Sequence, residues 1–173
     1  MEKRGQIWVE TAIYTLIGLT VIAIALSIAM PQIQEAQDRA VITQTMDILN
    51  GIDRTITEVS QSPGNIRIIE IKLSKGRIEI NSTGNYISYI MEDTNLKLSE
   101  PEESIKQDNI IIKTQERGKN YDIILNMSYE NFNITYGGED TFKTLQSGEI
   151  IHKLFIENKG VDADEKTIID FRV

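Results

Sequence analysis

The chain has 173 residues, no cysteine and a formal net charge of −8. The acidic balance argues against nucleic-acid binding, and the missing cysteine excludes disulfides and thiolate metal sites. A short basic leader and an apolar run take roughly thirty residues, which leaves one modest globular domain.

Lys3 and Arg4 precede Gly5, and Glu10 is the last charge before a run that stays uncharged from Thr11 to Gln34. An apolar helix of that length can span a bilayer. The positive-inside tendency puts Lys3 and Arg4 in the cytoplasm and the rest of the chain outside. A cleavable secretory signal would end near Ser27-Ile-Ala29, but the run is long for one and Glu10 would fall inside its apolar core. A plain signal anchor accounts for length and orientation. It gives no role to Glu10, which at the entrance of a span must be neutralised, paired or left near the headgroups.

A third reading accounts for these residues as well. Lys3-Arg4-Gly5 before Gln6, with Glu10 four residues on and an uninterrupted apolar helix behind it, resembles the class III signal peptide of archaeal type IV pilins. That pattern runs Gln, any, Ser, any, Glu, three residues, Leu; Gln6 and Glu10 match it, while Trp8 replaces the Ser and Tyr14 the Leu. The resemblance covers about the first thirty residues. It implies a cut by prepilin peptidase between Gly5 and Gln6, retention of the apolar segment, and export through a pilus assembly machinery. Glu10 would become the fifth residue of the mature chain. Paired with the new α-amino group at Gln6 of a neighbouring subunit, it would neutralise both charges in an apolar core.

The segment 6–31 reads as an apolar membrane or filament-core helix; from Thr11 to Met30 it is apolar on every face, with Gly18, Ala23, Ala25, Ser27 and Ala29 small enough for close helix approach. Pro31 lacks an N–H and predicts a kink. From 32 to 62 the helix resumes as an amphipathic one. Ile33, Ala40, Val41, Ile48, Leu49, Ile52, Ile56 and Val59 form its apolar stripe, and Glu35, Asp38, Arg39, Asp47, Asp53, Arg54 and Glu58 fall mostly opposite. Ser62-Pro63-Gly64 ends it. A continuous helix from Gln6 to about Gln61 would be roughly 80 Å long. The resemblance implies the pilin lollipop, in which the stripe packs on the subunit's own β-domain and the uniformly apolar half packs on other subunits.

Residues 63–173 read as an extracellular β-domain, because the apolar period switches to two. Ile66–Leu73 and Arg77–Ile80 predict a hairpin about Ser74-Lys75-Gly76. Further strands are expected at Tyr86–Met91, Leu96–Leu98, Ile110–Lys113, Tyr121–Met127, Phe132–Tyr136, Ile150–Ile156 and Thr167–Phe171, with a polar loop over Ser99–Asp108 and a turn at Gly137-Gly138. The fold class is therefore α+β: a long N-terminal helix packed on a C-terminal antiparallel sheet or sandwich. Asn81-Ser-Thr83, Asn126-Met-Ser128 and Asn133-Ile-Thr135 are glycosylation sequons on an exported domain.

Nothing in the sequence forms a catalytic constellation, and no cofactor or metal is expected. His152 sits in an apolar strand without a nucleophile signature, and Asp162-Ala-Asp164-Glu165 lacks the full calcium-loop spacing. The expected function is that of a filament subunit whose principal partner is another copy of itself, first held in the cell membrane and then part of a surface filament. Among filament classes, the carboxylate at position 10 resembles the adhesive one more than the swimming one. A minor pilin or pseudopilin, and a non-polymerising anchored β-domain that binds an envelope partner, are the alternatives.

Overall fold

The structure is a computed structural model that describes residues 2–101 and 103–173; the side chains of residues 2–6 lie outside that description. It divides into two compact units, residues 1–37 and 38–173. One helix, α1 (Glu2–Ser60), contributes to both, and its helical assignment continues through Pro31.

Among the described residues ten strands follow: β1 (Ile66–Ile71), β2 (Arg77–Asn81), β3 (Tyr86–Thr94), β4 (Ser104–Gln107), β5 (Ile110–Arg117), β6 (Asn120–Ser128), β7 (Phe132–Tyr136), β8 (Phe142–Gln146), β9 (His152–Val161) and β10 (Thr167–Arg172). They form a four-stranded sheet in the order β1-β9-β10-β7 and a six-stranded sheet in the order β4-β5-β6-β3-β2-β8. All pairings are antiparallel except β7 with β10.

The expected hairpin of β1 and β2 does not form, because β1 pairs with β9 while β2 pairs with β3 and β8. The turn residues are used to change sheets. Leu73 is buried at the crossing, and Tyr89 seals it by donating its hydroxyl proton to the Lys75 carbonyl at 2.8 Å. Gly76 is required there. Its φ is +76°, and an added Cβ would stand 2.5 Å from the Ile90 carbonyl oxygen and 2.7 Å from the Tyr89 hydroxyl. Leu96 is a core residue outside any strand, its N–H satisfied by Thr94 Oγ1 at 3.0 Å. The acidic loop contains β4, and β8 had no counterpart among the expected strands.

Within the second unit, the helix buries Asp38, Ile42, Thr45, Leu49, Ile52, Ile56 and Val59. These steps alternate between four and three residues, a 3.5-residue period that keeps one stripe on one side of a helix. The aliphatic members join the inner faces of both sheets in one core that includes Ile78, Tyr89, Leu125, Met127, Ile156 and Phe171. Burying each such side chain contributes about 1.5–3 kcal/mol.

Two departures from the expected stripe are instructive. Ile33 is 51% exposed, so burial begins at residue 38. Asp38, expected on the polar face, is only 8% exposed. Its carboxylate accepts Lys75 Nζ at 2.8 Å and the Thr94 hydroxyl, which satisfies a charge that burial alone would penalise. At the other end, Asn158 of β9 closes the helix. Its Nδ2 donates to the Val59 and Ser60 carbonyls at 3.0 and 3.1 Å, and its Oδ1 accepts the Gly160 N–H at 2.8 Å. Helix carbonyls left open at a buried C-terminus need such a partner.

Candidate functional site

The candidate site is the first unit. From Ile7 to Gln37 every residue is exposed except Ala29, which is half-buried. Fifteen large apolar side chains between Ile7 and Ile33 face outward, among them Trp8 at 81%, Tyr14 at 72% and Leu19 at 60%. An apolar surface of this extent far exceeds the patches that monomeric soluble domains expose. Left in water it would forgo on the order of tens of kcal/mol of burial, more than the usual 5–15 kcal/mol stability of a domain. The helix is long and apolar enough to cross a membrane.

The Ser and Thr hydroxyls of this segment are internally satisfied. Thr11 donates to the Ile7 carbonyl at 2.9 Å, Thr15 to Thr11 at 2.8 Å, Thr20 to Leu16 at 2.8 Å and Ser27 to Ile24 at 2.7 Å. Back-bonding of this kind lets a helix carry Ser and Thr into an apolar medium. Glu10 is exposed on the same helix and is the only charged residue from Ile7 to Gln34. Gly5 and Gln6 are helical in backbone, but their side chains lie outside the described residues. Glu10 stands four residues, about one helical turn, after Gln6 in the backbone.

The three sequons differ in setting. Asn81 closes the β2–β3 turn: its Oδ1 accepts the Gly84 N–H at 2.8 Å and its Nδ2 donates to the Tyr86 hydroxyl at 2.8 Å. Asn133 is half-buried and donates to Asp162 Oδ2 at 3.0 Å, while Thr135, its sequon partner, is buried and donates to Asp170 at 2.9 Å. Asn126, half-buried as well, lies on the outward face of β6, between the buried Leu125 and Met127, with a 3.4 Å approach to the exposed Ser128 hydroxyl as its side-chain contact.

The other candidates resolve into local structure. The Lys166 N–H, followed by the Asn133 amide and the Asp164 N–H, holds the Asp162 carboxyl below the usual carboxylate range. Those bonds occupy its oxygens in closing the β9–β10 loop. His152 Nε2 lies 3.0 Å from the Gln146 carbonyl, so that nitrogen carries the proton. The side-chain bonds of Asp38 and Asn158 have no signature in sequence; a carboxylate within a heptad-spaced apolar stripe is the one available hint. No protein family, curated protein or solved structure matches this chain.

Proposed function

We propose that this chain is a structural subunit of a type IV pilus-like surface filament. It enters the membrane through its apolar helix, loses residues 1–5 to a prepilin peptidase after Gly5, and assembles through the helix that remains. The observation that carries this reading is the contrast within α1: residues 38–59 supply a buried stripe, whereas residues 7–33 expose apolar side chains in every direction. A single-pass anchor needs the length and the apolarity. It has no need of a carboxylate placed one turn inside a Gly5-Gln6 junction. In a filament, the Glu10 carboxylate of one subunit would meet the α-amino group at Gln6 of the next, and each would remove the desolvation penalty of the other.

The test is Glu10→Ala in the native host. Membrane insertion is expected to persist, because the run behind it is unchanged, while filament yield falls at least tenfold. Normal filaments from this variant would remove the pairing from the account. A chain that stays monomeric in detergent with its leader intact would instead favour the anchored, non-polymerising β-domain. Scarcity on shed filaments would favour a minor pilin or pseudopilin.

A further inference from the structure

We infer that Asn126 is the N-glycan acceptor of this domain and that Asn81 and Asn133 are not. The inference rests on the reading above in one respect, that residues 63–173 lie outside the membrane.

A glycan must be accommodated by the folded domain whenever it is added, and the three asparagines differ in that respect. Alternation along β6 turns Leu125 and Met127 inward and Asn126 outward. Its cross-strand neighbours are Ser88 of β3, a small and buried residue, and Ile111 of β5, which is exposed. The 3.4 Å approach to Ser128 is too long to hold the amide firmly. Ser128, the hydroxyl of the sequon, is exposed beside it.

Asn133 offers neither feature. Its amide holds Asp162, and the hydroxyl of Thr135 is buried against Asp170, which also accepts the Gly138 N–H at 2.7 Å. A sugar at Asn133 would have to open the contacts joining β7 to the β9–β10 loop. At Asn81 both ends of the amide are engaged, and the Tyr86 ring lies over Gly84, where an added Cβ would be 2.6 Å from it. A sugar there would displace the clasp of the turn.

The chemistry is a substitution at the anomeric carbon. The Asn126 amide nitrogen loses one proton and bonds to that carbon of a lipid-phosphate-linked sugar. The carbon–oxygen bond to the phosphate breaks, and the lipid phosphate leaves with the electron pair. No oxidant or reductant takes part.

Glycopeptide mass spectrometry of the protein from its native envelope, with the mature N-terminus read in the same digest, tests this. A sugar mass is expected on the Asn126 peptide and on neither of the others. Asn126→Gln and Ser128→Ala should each abolish it, while Asn133→Gln leaves it unchanged. Because Asn126 and Ser128 sit on the outer face, unfolding midpoints of both variants should match the parent. An unmodified Asn126, or a sugar on Asn133 or Asn81, would overturn the inference. If that result came with a chain beginning at Gln6, the filament reading would stand and the site assignment alone would fall.

Discussion

The first half of α1 is the more apolar, and the two halves use their apolar residues in opposite ways. Between residues 38 and 59 the buried positions recur with a 3.5-residue period, five of the seven are apolar, and the β-domain covers them. Between 7 and 33 they occupy every face, and the chain's own fold covers almost none of them. A periodic stripe is the signature of a helix with one neighbour; uniform apolarity signals a helix surrounded on all sides, by lipid or by other helices. The difference is one of pattern: the second half carries a one-sided stripe, and the first is long and apolar enough to cross a membrane.

That comparison is sharpest in a pair of substitutions on the full chain in detergent. Leu49→Ala should lower domain stability by about 2–5 kcal/mol, because it opens a cavity in a fully closed core. Leu19→Ala should change it by less than about 0.5 kcal/mol, since that side chain is exposed. Comparable losses from both in denaturant titrations would erase the distinction between the halves.

Alkali should act on the β-domain that covers the second half. Burial, aided by the nearby Asp38 carboxylate, pushes the Tyr89 hydroxyl up to about 12, and burial next to Asp53 raises Tyr129 as well. Both groups are neutral in the folded domain while their unfolded counterparts ionise near pH 10. Stability is therefore intact below about pH 10 and declines as pH rises toward 12. Tyr89 alone contributes about 2–3 kcal/mol of that decline. Unfolding curves across this range should show it, with Tyr89→Phe flattening the slope.

A smaller effect is expected where β9 closes the helix. Asn158→Ala leaves the Val59 and Ser60 carbonyls without their donor and should cost about 1–2 kcal/mol. Amide exchange should quicken first around Val59 and Ser60 and remain unchanged near Ile42.

Much of this fold is legible in the sequence because burial imposes periods. The helix and its change of character follow such periods, and β5, β6 and β9 alternate between core and solvent, whereas β3, β7 and β10 bury successive residues in short runs. The missed parts lack that cause. β4 is exposed at every residue, so it shows no alternation, and β8 buries only Leu145 well. The turn at Ser74-Lys75-Gly76 looks like a hairpin because glycine serves a sheet crossing as readily as a tight turn. Asp38 and Asn158 look like surface residues because composition cannot show that a fold has supplied their partners. In the candidate site, the apolar run and Glu10 are plain from residue order alone. The ranking of the three sequons is not, since it depends on which amides the folded strands have already engaged.

The most direct test of the central claim is the mature N-terminus of the protein taken from its native envelope, read by mass spectrometry. A chain beginning at Gln6 is the predicted result: the leader removed and the exposed helix kept for assembly. An intact Met1 would contradict it by making the helix a simple anchor, and a start near Met30 would contradict it by removing the helix altogether.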